Sequence, residues 1–396
     1  MTVINYSLPK ISGVLLGIGV FFALAREGIH PRGWIFGLLA FLGMGLTIAT
    51  LGLFGTSWFS FSKIAIFGPI ITHLPRLIAG LQGAESGFHP NEVAGGLIWV
   101  LPLMIAVCVI LPFIHTRNND AQSLEGNRRK KIRNIVLAIV CLAATSFIAV
   151  VFLLCQSRGG YIALALTLII LIPIALPSKW RWYILAILAM VAIVAGVLLA
   201  SRWDAVRTWI TGNNLVADPA LSLNSLSGRV EVWSRAIYGI QDFPFTGMGM
   251  NAFRKVMPVL YPLFNISPEI DLGHAHNEFL QAALDLGIPG LIAFLALYIG
   301  SFWMLLDIWR RTRLPSTSIR NQRLVTRFLV LGLSGSLLAH LLYGLTDAVA
   351  LGAKPGILFW MLLGLTAALY QQAQEDYAAR SGNISSPAVE NNGKRS

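Results

Sequence analysis

Apolar runs and short polar turns alternate along most of the chain, and one long polar stretch interrupts the pattern. The runs fall at 11–25, 34–55, 92–114, 134–155, 161–177, 183–200, 288–306, 328–348 and 356–371. A helix of about 20 residues is about 30 Å long, the thickness of a bilayer's hydrocarbon core. The pattern therefore predicts an all-α polytopic membrane protein with nine spans, and as many as twelve if weaker segments also cross. Short alternating strands, the mark of an outer-membrane barrel, are missing from the sequence. No internal repeat is evident, which disfavours an inverted-repeat transporter.

Two N-terminal segments need separate reading. ISGVLLGIGVFFALA (11–25), after Lys10, resembles a secretory signal peptide, but with many spans downstream an uncleaved first helix is expected. Residues 57–89 mix aromatics, prolines, Lys63 and Arg76 with aliphatic side chains, and read as an interfacial segment rather than a span. The side of the N-terminus stays open at this stage.

The expected organisation is an N-terminal set of transmembrane helices over 1–200, a polar island at 201–287, and C-terminal helices over 288–371. The tail 372–396, rich in Ser, Asn, Glu and Gly, is expected to be disordered and cytoplasmic. Composition agrees with this class. The chain is 56% hydrophobic and 12% charged, with a mean hydropathy of +0.69, whereas soluble domains carry about 25% charged residues.

Charge adds sidedness. The net charge is +12, and segments 115–133, 178–182 and 307–327 supply nearly all of it. They hold six, two and six Lys/Arg against two, none and one Asp/Glu. The positive-inside rule makes these loops cytoplasmic, so the basicity is a topology signal and nucleic acid is not an expected partner. The island has six basic and eight acidic residues and belongs on the other side. Cys108, Cys141 and Cys155 all lie in or at the edge of apolar runs, which suits packing better than a disulfide framework or a metal site.

Within the island, Val232, Trp233, Ala236, Ile237 and Ile240 recur at helical spacing, and Asp242-Phe243-Pro244 stops the helix. A second helix is expected to start near Asn277, with Phe279, Leu280, Ala283 and Leu284 as its apolar face and Gly287 and Pro289 at its end. His276 would then stand at a helix N-terminus, where the local positive potential favours neutral imidazole that can accept a proton.

Three residues stand out for chemistry. Arg158, in the turn QSRGG, and Arg229, at the start of the island's first helix, carry planar guanidinium forks suited to phosphate oxygens. Arg158 could equally reach a lipid phosphate, and Arg229 could pair with Glu231. The glycines after Arg158 would let a ligand approach the backbone. His276 could serve as a base on a hydroxyl, with a pKa near 6.5 in the unperturbed state, or be an ordinary loop histidine. His274, His276 and Glu278 suggest a metal site, but no further ligand cluster supports one, so neither metal nor cofactor is expected. In the span 328–348, His340, Tyr343 and Asp347 share a helical face, and polar groups at that depth usually meet a cavity or a partner. Asp347 could line a cavity with Lys354 or form a structural pair with it. HPNEVAG puts Asn91 and Glu92 at the mouth of another span.

SGRVEVWSRAIYGIQDFPFTGMGMNAF resembles the signature region of the O-antigen ligase family, the lipopolysaccharide ligases and related polysaccharide polymerases. The matching positions are Arg229, Trp233, Ala236, Pro244, Gly247, Gly249 and Phe253. HAHNEFLQAALDLGIPG resembles the family's His-Asn-x-x-Leu motif at His276, Asn277 and Leu280, and SRGG resembles its earlier arginine-bearing turn. The resemblance implies a C-type glycosyltransferase-like fold with a large helical periplasmic loop in the bacterial inner membrane. It also implies metal-independent, inverting transfer of a glycan from an undecaprenyl-diphosphate donor to a glycolipid or glycan acceptor hydroxyl. In that scheme Arg158 and Arg229 hold the diphosphate and His276 is the base; beside the resemblance, Trp233, His274, Asn277, His340, Asp347 and Lys354 are candidate cavity-lining residues. A polysaccharide polymerase, a protein O-oligosaccharyltransferase and a solute or inorganic-carbon transporter are the alternatives. A transporter would be expected to carry polar residues through several spans.

Overall fold

A computed structural model describes residues 4–56, 58, 67–78, 80, 87–114, 124–201, 203–204, 226–264, 266, 272–312, 320–349 and 351–384. Helices account for nearly all of it, and among the described residues the only β-type pairing is a lone bridge between Thr56 and Phe88. The chain is an all-α polytopic membrane protein. Its order is α1 (Ile4–Glu27), α2 (Pro31–Gly55), the short α3 (Gly68–Ile71), α4 (Pro90–Ile98), α5 (Leu101–Ile114) and α6 (Leu124–Leu154). There follow α7 (Arg158–Ala175), α8 (Ser178–Ser201), α9 (Leu226–Asp242), α10 (Phe253–Leu260), α11 (Glu278–Arg311), α12 (Arg320–Tyr343) and α13 (Ile357–Ile384).

Seven of these helices are long and apolar enough to cross a bilayer among the described residues. The pair α4 and α5, bent by 43° at its junction, makes an eighth. Helix α8 occupies the position of the sixth predicted crossing, 183–200. Its first turn sets exposed Trp180, Trp182 and Tyr183 beside Lys179 and Arg181, the mix of aromatic and cationic anchors found at a membrane interface. Along α6, Ile135, Val136, Ile139 and Val140 are all exposed, as expected of a lipid-facing stripe. The bundle core lies where α5, α12 and α13 meet. There Trp99, Leu103, Tyr298, Leu333, Leu337, Phe359 and Leu362 are buried.

Several predicted boundaries shift. The basic stretch assigned to a loop at 115–133 is already helical from Leu124, and the loop at 307–327 is shortened by α11 and α12. Helix α13 runs on to Ile384, into the segment expected to be disordered. Its last turns are anchored: Gln372 donates to the Gly28 carbonyl at 2.5 Å, and the Arg311 guanidinium lies 4.8 Å over the Tyr377 ring. Residues 57, 59–66, 79 and 81–86 of the expected interfacial segment, and 385–396 of the tail, lie outside the described residues.

The polar island has a small core of its own. Val232 and Ala236 of α9, Phe253 and Met257 of α10, and Ala275 and Leu284 are all buried together. Ile237, expected on the packed face of α9, is 46% exposed instead, because Gly239 rather than residue 237 meets Leu284.

Helix α11 breaks at Gly287 (φ 73°, ψ −178°), where the sequence places a stop, and resumes as the next span. A break strands backbone donors and acceptors, and the PFTGMG turn takes up two of them. Met248 N–H donates to the Leu284 carbonyl at 2.6 Å, and Ile288 N–H donates to the Pro244 carbonyl at 2.7 Å. A Cβ on Gly247 would lie 2.6 Å from the Gly287 nitrogen, so only glycine permits this clasp. These motif glycines therefore hold the island onto the bundle.

Candidate active site

Four segments converge at one end of the bundle: the start of α7, the start of α9, the turn before α11, and the connection from α12 to α13. Tyr343 ends α12, so Asp347 lies on extended chain rather than on a helical face. Asp347 Oδ1 faces His276 Nδ1 at 3.1 Å, and Oδ2 lies 3.5 Å from an Arg229 terminal nitrogen. Arg229 also donates to the Thr346 carbonyl. One buried carboxylate thus joins the candidate base to a candidate phosphate-binding arginine.

A carboxylate accepts only, so the contact makes His276 Nδ1 the donor and leaves the Nε2 lone pair for another proton. The His276 backbone is held in the left-handed region (φ 48°), which costs a non-glycine residue about 1–2 kcal/mol. Its neighbours fix it there. Trp233 Nε1 donates to the His276 carbonyl at 3.3 Å, and His276 N–H donates to His274 Nδ1 at 3.2 Å. Asn277 caps α11 by accepting from Phe279 N–H and Leu280 N–H at 3.0 Å each, and its amide donates to the Leu345 carbonyl at 3.0 Å. Trp233 and Asn277 therefore position His276.

Ser157 caps α7, and Arg158 is its first residue, exposed toward the site. Gly159 serves a purpose other than ligand access: a Cβ there would lie 2.5 Å from Thr346 Oγ1. The start of α7 is thus pressed against the residue whose carbonyl receives Arg229, and the charge of Arg229 bears on Arg158.

Burial alone would raise the Asp347 pKa, but the hydrogen bond from His276 and the Arg229 guanidinium beside it outweigh that effect. They hold the carboxyl well below its usual range. His274 is lowered to about 3, first by burial and then by His276 beside it. Donor atoms of His274, His276 and Asp347 lie within 4.8 Å of one another. Two imidazoles and a carboxylate suit a transition metal, yet Arg229 shares the same carboxylate, and His274 Nδ1 already accepts the His276 N–H.

Residues 141–295 match the model of the O-antigen ligase family. Over this segment the chain is similar to that family. The segment contains Arg158, Arg229 and His276 and stops short of Asp347. No curated protein matches the chain. In general terms the match supports a ligase- or polymerase-like glycosyltransferase, and lipid-linked glycans are the substrates that the family implies.

One expected lining residue stands elsewhere, and one expected pair does not form. His340 is buried in the bundle core, stacked on Trp99 at 3.9 Å, with Nδ1 2.9 Å from the Tyr298 hydroxyl. The shared face with Asp347 fails because α12 ends between them. Lys354 is exposed, and among the described residues Asp347 pairs with Arg229 and His276 instead. The sequence reading also missed a polar stripe on α11. Glu278 accepts from Val349 N–H at 2.6 Å, and Gln281 donates to Asp285 at 2.8 Å and accepts from Ala275 N–H at 2.9 Å. The spacing 278, 281, 285 marks one helical face and could have shown it.

Proposed function

We propose that the chain transfers a glycan from an undecaprenyl-diphosphate donor to an acceptor hydroxyl by direct, inverting, metal-independent displacement. The observation that carries this reading is the single carboxylate, Asp347, joined to both His276 and Arg229. His276 Nε2 takes the proton of the acceptor hydroxyl, and the oxygen attacks the anomeric carbon. The bond from that carbon to the phosphate oxygen breaks, and its electron pair leaves with the diphosphate. Arg229 and Arg158 stabilise the charge that develops there, as preorganised cations do without reorganisation. Asp347 orients His276 and stabilises the imidazolium that forms.

The reaction is placed at the periplasmic face of the inner membrane, the side opposite the basic loops. A polysaccharide polymerase or a protein O-oligosaccharyltransferase would use the same chemistry with another acceptor. The test is transfer in proteoliposomes holding undecaprenyl-diphosphate-linked glycan. His276→Ala and Arg229→Ala should each lower the rate by about 10²-fold or more, and EDTA should leave the wild-type rate unchanged. Full transfer by both variants, or a strict metal requirement, would overturn the mechanism.

A further inference from the structure

We infer that Lys10 and Glu92 form the acceptor side of the site and select a neutral, hydroxyl-rich sugar beside His276. This rests on the glycosyl-transfer reading above.

Both residues are mounted on the connection that carries Asp347. The start of α1 lies against the turn after it: a Cβ on Gly352 would be 2.0 Å from the Lys10 carbonyl oxygen. The start of α4 is tied to the last residue of α12, since the Tyr343 hydroxyl donates to the Asn91 carbonyl at 2.7 Å. Glu92, the next residue, is exposed, and Lys10 is partly exposed. Neither side chain has a hydrogen bond or ion pair within the set of described residues, so both heads are open to a ligand.

The charges bearing on Glu92 are those of Asp347, Lys10, Arg254 and His276, and Lys10 is also among the charges bearing on His274. The two side chains thus stand on the histidine side of the site. Lys10 is surrounded by Asp285, Glu278 and Glu92, with Arg254 the one other cation.

Such a wall differs in chemistry from the arginine side. A carboxylate can accept from two neighbouring hydroxyls at once, and an ammonium donates to a third oxygen. The Glu92 carboxylate on this wall disfavours an acceptor that brings a phosphate. Two guanidinium groups at Arg158 and Arg229 already serve the anionic donor.

The test measures acceptor kinetics in proteoliposomes with octyl lactoside and its 6-phosphate as probes, at saturating undecaprenyl-diphosphate-linked glycan. Wild-type protein should use the neutral probe at least tenfold better in kcat/KM. Glu92→Gln and Lys10→Met should raise the KM for octyl lactoside at least tenfold while shifting the donor KM less than twofold. An unchanged donor KM would also show that the variants fold. Equal or better use of the phosphorylated probe, or an unchanged acceptor KM in both variants, would overturn the inference and leave the transfer chemistry standing. Absence of transfer by wild-type protein to any acceptor, including its own lipid-linked glycan, would instead sink the transfer reading, and this inference with it.

Discussion

His276 and His340 are both histidines that the sequence offers to the site, but their surroundings divide them. His340 is sealed between Trp99 and Tyr298, and no carboxylate touches it among the described residues. The ring is buried by packing, with Nδ1 bonded to Tyr298 while Nε2 has no hydrogen-bond partner among the described residues. His276 lies on irregular chain at positive φ, bonded to a carboxylate that also holds a guanidinium. Charge pairing of this kind needs partners delivered from separate loops at angles that a continuous helix cannot offer. One histidine is therefore packing, and the other has the surroundings that the proposed proton transfer requires.

The sharpest way to break this contrast is Asp347→Asn, which keeps the volume and removes the charge shared by His276 and Arg229. Transfer should fall by about 10²-fold or more. Thermal unfolding should come at a lower temperature, because Arg229 is left without its anionic partner. Near wild-type transfer would show that the dyad is incidental.

His340→Leu should do the reverse. It leaves the Tyr298 hydroxyl unsatisfied in the core, a cost of about 1–3 kcal/mol, and should lower the melting temperature while transfer per folded enzyme stays within about twofold. Loss of transfer at an unchanged melting temperature would place His340 in the reaction.

The smallest effect concerns His274, held at about 3 in the folded protein against about 6.5 when unfolded. Its folded pKa is depressed, so its stabilising contribution is full above the unfolded value and is lost as pH falls toward 3. Wild-type protein should therefore lose more thermal stability between pH 7.5 and 5 than His274→Asn does. Equal losses would show that His274 is not held neutral by the fold. Asp347, also depressed, adds to acid lability only below about pH 4.

Much of the scaffold was legible because its signals are local. The apolar runs, the start of α11 at Asn277 and its break at Gly287 follow from hydrophobic period, capping chemistry and glycine's access to positive φ. Arg229 and His276 were legible as polar residues of reactive type at helix starts. Asp347 was found by extending a helical face that in fact ends at Tyr343, and its ion pairs go to Arg229 and His276 rather than to Lys354.

What the sequence determined by itself is the class of the molecule, its crossings and the segment that carries the reactive side chains, because burial in lipid imposes a period and a length. Only the tertiary structure decided that α1 and α4 bring Lys10 and Glu92 to the end of the bundle that holds His276. It also decided that a carboxylate beyond the family segment joins His276 to Arg229. Those pairings depend on contacts between residues far apart in the chain, and hydrophobic pattern carries no record of which loop meets which.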